Sequence, residues 1–175
     1  CRAVLHDTQL SYSSLNLEVT ESATMPNPES AIELMNQLKS LGIKIAIDDF
    51  GTGYSSLSYL HRFPLDSLKI DQVFVSRIME DDEIVRTIIT LGRNLGLKVI
   101  AEGVENLEQV MKLKELGCEY AQGYYFSVPV SAEGATDLLL AQKHWPDSLK
   151  TACERWPVGT GAIHRMINTE FGPHS

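Results

Sequence analysis

The sequence has little cysteine, no long apolar run and fewer basic than acidic residues. Its three cysteines, Cys1, Cys118 and Cys153, lie far apart without a C-x-x-C pair, which indicates neither a disulfide framework nor a zinc site. No apolar run approaches the length of a membrane span, and the first residues lack a signal-peptide pattern, so we expect a cytoplasmic protein without a membrane segment. The formal net charge of −8 disfavours non-specific binding of DNA or RNA, but it leaves room for a small phosphate ligand held through a metal.

The remaining composition is that of an ordinary soluble domain. The chain has 175 residues, of which 43% are hydrophobic and 22% charged, enough for one domain with a sizeable core. It begins with Cys1 instead of methionine, so we expect a piece of a longer protein. The five histidines show no ligand spacing and are interpreted as surface or packing residues.

Apolar periodicity predicts strands and helices in alternation. The predicted strands span residues 15–20, 43–47, 67–70, 98–101 and 119–123, and the predicted helices span residues 28–41, 55–62, 82–95, 106–116 and 131–142. Strands joined by crossover helices form a parallel sheet. We expect residues 1–142 to form this α/β domain, after a helix end and loop in residues 1–14, and residues 143–175 to form a loosely structured tail.

A pair of acids ends the most apolar of these strands. Asp48 and Asp49 follow Ile45 and Ile47 and precede a glycine-rich segment. Because side chains alternate along a strand, only one aspartate of the pair is expected to face a common site directly, and the other must reach it from the loop. Adjacent carboxylates in a pocket repel each other unless a cation intervenes, which favours a divalent metal. The alternative is a solvated pair of acids at a turn.

Polar residues recur at the carboxyl end of every predicted strand, where parallel sheets and barrels place their sites. These residues are Glu18, Asp48 with Asp49, Lys69, Glu102 and Gln122. Five strand ends of this kind are hard to explain by solvation alone. For Lys69, an ordinary ion pair with Asp71 or Glu102 is an alternative to a catalytic role.

Five segments carry a resemblance to a known family. They are LNLEVTES (15–22), IDDFGTGYSSLSYL (47–60), LKID (68–71), AEGVEN (101–106) and QGYYFSVP (122–129). In this order they resemble the EAL domain, a bacterial phosphodiesterase family that opens cyclic di-GMP, over roughly residues 15–140. The resemblance implies a modified TIM barrel and a hydrolysis that depends on Mg²⁺ or Mn²⁺ and yields the linear dinucleotide pGpG.

The resemblance also implies a set of metal ligands. Glu18 and Asp48 would bind metal, with Asp48 bridging two cations, and Asp49 and Glu102 would surround the second cation. Gln122 would hold a water molecule on the metal. Carboxylate oxygens suit Mg²⁺ and Mn²⁺, and two such ions can stabilise both the attacking and the leaving oxygen of a displacement.

Three further roles follow from the same resemblance. Lys69 would position the attacking water or help to deprotonate it, and neighbouring cations would lower its pKa for that task. Glu105 would be a further catalytic residue, which contacts the metal ligands and not the metal itself. Glu21 would anchor the DFGTG loop, which in this family links the site to the dimer interface.

The sequence departs from the family pattern at its start. The Glu-Ala-Leu triad is absent, and so is the metal-binding asparagine that belongs upstream of Glu18. A full TIM barrel has eight βα units, so the five strands predict an incomplete barrel with two unpaired edges. We therefore expect weak activity from this chain alone, and either a homodimer or completion by another chain. Three origins fit such a chain: a fragment, a truncated protein that a partner completes, or a degenerate remnant. Instead of catalysis, its function could be non-catalytic binding of cyclic di-GMP or of a protein, or it could be purely structural.

Overall fold

A parallel five-stranded sheet forms the centre of the computed structural model, which describes residues 5, 7–24, 26–52 and 57–140. The strands are β1 (Asn16–Thr20), β2 (Lys44–Phe50), β3 (Ser67–Ile70), β4 (Lys98–Ala101) and β5 (Tyr120–Ala121). They lie in the order in which they occur along the chain, and each neighbouring pair is parallel. The predicted incomplete barrel of five parallel strands with crossover helices is confirmed. Strands β1 and β5 form the two edges of this sheet within the described ranges.

Seven α-helices accompany the strands in the described part of the chain. They are α1 (Glu21–Thr24), α2 (Pro28–Ser40), α3 (Leu57–Leu60), α4 (Gln72–Ser76), α5 (Glu83–Asn94), α6 (Leu107–Leu116) and α7 (Ala132–Leu140). Sequence patterns predicted all but α1 and α4, which are too short to show a period. A 3₁₀ turn at Tyr12–Ser14 follows the helical residues Asp7 and Thr8. The predicted start of α3 and the predicted tail at residues 143–175 lie outside the described residues.

Local signals explain where the predicted helices begin and end. The Asn27 side chain accepts a hydrogen bond from the Ser30 amide and so caps α2, whose first residue is a proline. Helix α6 begins with a capping box, in which the side chains of Asn106 and Gln109 each accept from the other residue's backbone amide. It ends at Gly117, whose φ of 79° is the left-handed conformation that glycine adopts most easily.

The helices cover one face of the sheet with apolar side chains. That face carries Ile45, Ile47, Leu68, Ile70, Val99, Ala101 and Ala121, all of which belong to the core cluster. Helix α5 adds Val85, Ile88 and Ile89, and α6 adds Leu113 to the same cluster. Because side chains alternate along a strand, the residues between these positions point to the opposite face. Lys69, between Leu68 and Ile70, is one of them. Glu18 and Asp48 point the same way, because their strand neighbours Val19 and Ile47 face the core.

Strand β2 differs from its prediction at the carboxyl end. It continues through both aspartates to Phe50, and its register with β3 shifts between Ile47 and Phe50. Asp49 has a φ of 54°, a left-handed conformation that aspartate tolerates better than most residues. The hydroxyl of Thr52 donates a hydrogen bond to the Asp49 carbonyl oxygen, 2.8 Å away, and holds the turn. The strand therefore carries a β-bulge at the acid pair.

No helix in the described ranges is long and apolar enough to cross a membrane.

Candidate active site

Lys69 lies at the centre of the polar face. Its side chain is only 4% exposed, and its ammonium contacts carboxylates from three different strand ends. The Nζ atom lies 2.5 Å from Oε1 of Glu102, 2.6 Å from Oε2 of Glu18 and 3.4 Å from Oδ1 of Asp48. Of the two ion pairs weighed from the sequence for Lys69, the contact with Glu102 is present. Three carboxylates, from residues up to 84 positions apart in the sequence, thus surround the Lys69 ammonium.

The bulge in β2 brings both aspartates to the same side. Carboxylate oxygens of Asp48, Asp49 and Glu102 all lie within 4.8 Å of one another, and all three residues are half-buried. The sequence predicted that one aspartate faces the site directly and that the other must reach it, and the left-handed Asp49 at the register shift lets its carboxylate join the same group. The pair also interacts directly, since the Asp49 amide donates a hydrogen bond to Oδ1 of Asp48 at 3.0 Å.

Burial and crowding shift the pKa values of this cluster. Burial raises the pKa of Glu102 to about 7, against the opposing effect of Lys69. Burial also raises the pKa of Asp49, and the charges of Asp48 and Asp71 raise it further. Burial, together with the neighbouring carboxylates, thus makes Asp49 and Glu102 harder to ionise. The cluster is short of positive charge.

The Lys69 ammonium responds in the opposite way. Burial alone lowers the pKa of Lys69, but hydrogen bonds to Glu102 and Glu18, together with the charges of both carboxylates, outweigh burial and raise it. The lowering predicted for this pKa concerns a lysine beside bound metal ions, so it stays a prediction.

Gln122 reaches the cluster from the end of β5. Its Nε2 donates a hydrogen bond to Oε1 of Glu102 at 2.8 Å, so the same oxygen receives both Gln122 and Lys69. The backbone supports this arrangement, because the Gln122 amide donates to the Ala101 carbonyl and the Glu102 amide donates to the Ile70 carbonyl. Gln122 therefore contacts a carboxylate directly in the structure.

Glu21 binds the loop that follows β2. Its side chain is buried, and Oε2 accepts a hydrogen bond from the Gly51 amide at 3.1 Å. Its second oxygen, Oε1, is buried without a hydrogen-bond partner among the described residues. The contact is of the kind predicted for Glu21, although residues 53–56 of the loop lie outside the described residues.

Two acidic residues depart from the predicted set. Glu105 is exposed, and its hydrogen bond in the described chain runs from its backbone amide to Oε1 of Gln109. The structure therefore does not bring the Glu105 side chain to the Lys69 cluster. Asp71 is an addition, because its carboxyl shares a hydrogen bond with Asp49 and raises the pKa of that residue. Its position directly after strand β3 is the signal that could have identified it.

The side chains present fit a divalent cation. A group of three carboxylates with mutually close oxygens is the ligand type that Mg²⁺, Mn²⁺ and Ca²⁺ prefer. Burial is the main cause of the raised pKa values of Asp49 and Glu102, and a cation between Asp48, Asp49 and Glu102 would offset the added repulsion between the carboxylates. The ion pairs Lys39–Asp66 and Arg62–Glu29 differ from this cluster, because each joins one acid to one base. Asp82 pairs with two bases, Arg86 and Lys112.

The comparisons with known proteins agree with this geometry. The EAL domain family matches residues 1–129. The cyclic di-GMP phosphodiesterase NbdA of Pseudomonas aeruginosa is 46% identical over 145 residues, which are 81% of this chain and 18% of NbdA. The chain thus spans about a fifth of the length of this curated relative.

Two solved structures share the fold of the described chain. The phosphodiesterase MucR of P. aeruginosa, in complex with cyclic di-GMP, has a TM-score of 0.73 and 45% identity, covering 76% of this chain and 55% of the chain in that solved structure. The Klebsiella pneumoniae protein BlrP1, in a complex with manganese and cyclic di-GMP, has a TM-score of 0.68 and 36% identity, covering 73% of this chain and 33% of the chain in that solved structure. By its motifs, its parallel sheet and its family match, the chain belongs to the EAL domain family.

Proposed function

We propose that this chain carries most of the active site of a metal-dependent phosphodiesterase that hydrolyses cyclic di-GMP to pGpG. The observation that carries the proposal is the convergence of Glu18, Asp48 and Glu102 on the buried ammonium of Lys69, next to a second group of close carboxylates. Relatives that share this fold bind or cleave cyclic di-GMP by name. The preferred ion is Mg²⁺ or Mn²⁺.

The carboxylates are the groups that would hold the metal. Asp48, Asp49 and Glu102 present close oxygens, Glu18 adds a carboxylate on the other side of the Lys69 contact, and Asp71 lies next to Asp49. A divalent ion held there would polarise a phosphoryl oxygen and offset the repulsion between an acidic pocket and an anionic substrate. Gln122 would support this ion indirectly, because its amide donates a hydrogen bond to the Glu102 carboxylate and orients it.

Lys69 acts as a fixed positive charge in this proposal. Hydrogen bonds to Glu102 and Glu18 raise its pKa, so before a metal binds the ammonium is a hydrogen-bond donor at neutral pH. Its hydrogen bonds orient Glu18 and Glu102, and its charge lies where negative charge develops when the phosphodiester is attacked. Glu21, through Gly51, holds the loop that begins directly after the acid pair. Glu105 is not assigned a catalytic contact.

The open edges of the sheet bear on the partners of the chain. Strand β1 carries Glu18 and lies at one edge, so part of the site faces the side where the described sheet is unpaired. We expect a homodimer or another segment of polypeptide to pair there, and we expect activity to rise when it does. A location in the bacterial cytoplasm, where cyclic di-GMP occurs as a signal, would suit this function.

The test of the proposed function is a turnover assay. The purified chain is incubated with cyclic di-GMP and Mg²⁺ or Mn²⁺, and pGpG is followed by chromatography, with Asp48→Asn as the matched variant. Asn keeps the size of the side chain and removes its charge. We expect product that requires both the metal and Asp48.

Each result of this assay has a distinct meaning. Turnover that is unchanged in Asp48→Asn would overturn the assignment of that residue. Cyclic di-GMP that binds without being cleaved would favour the alternative function, a non-catalytic binding module. Calorimetry of cyclic di-GMP binding, in the presence and absence of metal, separates these two results.

A further inference from the structure

We propose that Gly103 is a positioning residue, which sets the location of the Glu102 carboxylate through close contact with the start of helix α4. The inference rests on the proposed function, since it assigns a role toward the same site. The observation is that Gly103 directly follows Glu102, has a φ of 65° and leaves no room for a side chain. A Cβ atom at this position would lie 2.5 Å from Cβ of Gln72 and 3.3 Å from its Cα.

The segment that Gly103 contacts is fixed in place. Gln72 is the first residue of α4, and the preceding Asp71 caps this helix by accepting a hydrogen bond from the Val73 amide at 2.7 Å. Val75 in the same helix is completely buried. The start of α4 therefore cannot yield easily, and a larger residue at position 103 would displace the loop that carries Glu102.

The far side of that loop is also fixed. The Val104 amide donates to the Gln122 carbonyl at 3.0 Å, and the Tyr125 amide donates to the Val104 carbonyl at 2.9 Å. Val104 is completely buried, and Gly123 approaches its backbone so closely that a Cβ on Gly123 would lie 2.2 Å from the Val104 nitrogen. Gly103 is thus held between α4 on one side and the loop after β5 on the other. Little space remains to absorb a methyl group.

A shift of this loop would act directly on the site. The Glu102 carboxylate receives Lys69 at 2.5 Å and Gln122 at 2.8 Å, and its oxygens lie within 4.8 Å of those of Asp48 and Asp49. Displacing Glu102 by a fraction of an ångström weakens both hydrogen bonds and increases the distance between its carboxylate and those of Asp48 and Asp49. Gly103 therefore acts through Glu102 and has no contact with substrate in this proposal.

The chain offers a closely matched control. Gly96 has a φ of 70°, and a Cβ built on it meets nothing within 4 Å in the described chain. Alanine at position 96 or 103 suffers a similar left-handed backbone strain, but only alanine at position 103 collides with a neighbour. A second control removes the collision, because Gln72→Gly deletes the Cβ that a side chain at position 103 would meet.

The experiment compares Gly96→Ala, Gly103→Ala, Gln72→Gly and the double variant Gly103→Ala/Gln72→Gly in the full chain. The first readout is the ¹⁵N–¹H NMR signal of the Lys69 ammonium, whose protection from exchange reports its contacts with Glu102 and Glu18. The second is the dissociation constant for Mn²⁺ alone, measured by calorimetry. Neither readout requires turnover.

We expect Gly103→Ala to lose the protected Lys69 signal and to weaken Mn²⁺ binding by about tenfold, as changes in groups that orient metal ligands commonly do. Gly96→Ala and Gln72→Gly should keep both properties, and the double variant should regain them. Equal effects of Gly96→Ala and Gly103→Ala, or no recovery in the double variant, would overturn the inference. If the unaltered chain binds no Mn²⁺, the proposed function fails, while the Lys69 signal still decides the role of Gly103.

Discussion

Replacing Lys69 by methionine removes the cation on which three carboxylates converge. Methionine has nearly the same length as the lysine stem, so the variant deletes charge and hydrogen bonds with little change in packing. The Lys69 side chain is 4% exposed, and its ammonium makes two short contacts, at 2.5 Å to Glu102 and 2.6 Å to Glu18. A hydrogen bond to a charged group contributes about 1.5–3 kcal/mol, and breaking a buried ion pair costs about 3–5 kcal/mol.

The exposure of the partners sets the size of the effect. The Glu18 side chain is 34% exposed, so water recovers part of that contact, whereas Glu102 is 16% exposed and is left nearly uncompensated. We therefore expect Lys69→Met to lose about 3 kcal/mol in the free energy of unfolding, measured in EDTA. For a chain of this length that corresponds to a fall of about 6–12 °C in Tm.

A second ion pair serves as the control for charge removal. Lys39 contacts both oxygens of Asp66, at 2.6 and 2.7 Å, but both side chains are 32% exposed. Lys39→Met should therefore lose only about 1 kcal/mol. Calorimetric Tm values of both variants, with and without Mn²⁺, complete the test. Because Lys69→Met leaves the cluster with one more net negative charge, Mn²⁺ should raise its Tm more than that of the unaltered chain. Equal losses in the two variants, or no loss in Lys69→Met, would refute this reasoning.

Two further predictions concern the core. In Gly92→Ala the new methyl group would lie 2.2 Å from Cγ2 of Val99, so overpacking between α5 and β4 should cost about 1–3 kcal/mol in urea denaturation, and Val99→Ala in the same chain should restore part of it. A stability of Gly92→Ala equal to the unaltered chain would contradict that packing. Burial raises the pKa of the Cys118 thiol to about 11, so with Cys1 and Cys153 replaced by serine the folded chain should not react with a thiol reagent at pH 8. Since the folded pKa exceeds the ordinary value of 9.0, this thiol stabilises the fold fully below pH 9, and that stability is lost between pH 9 and 11. Rapid labelling at pH 8 without denaturant would show that Cys118 is not buried.

The sequence was sufficient to predict the sheet and most of the site, because both depend on local patterns. Apolar alternation located the strands, and parallel pairing brings their carboxyl ends to one edge. Glu18, Asp48, Lys69 and Gln122 follow from that rule, since each lies at a strand end and on one face. Helices α1 and α4, with four and five residues, are too short for periodicity and are stabilised by what they contact.

The relative placement of Asp48 and Asp49 depended on tertiary pairing and could not be predicted. A regular strand separates adjacent side chains onto opposite faces, so the pattern alone lets one aspartate face the site and does not say how the other reaches it. In the structure Phe50 pairs with Ile70 of β3 after a register shift, and this pairing leaves Asp49 in the left-handed conformation. Thr52 then closes the turn by donating to the Asp49 carbonyl. The metal site proposed for these carboxylates therefore depends on the bulge in β2 as well as on the acids themselves.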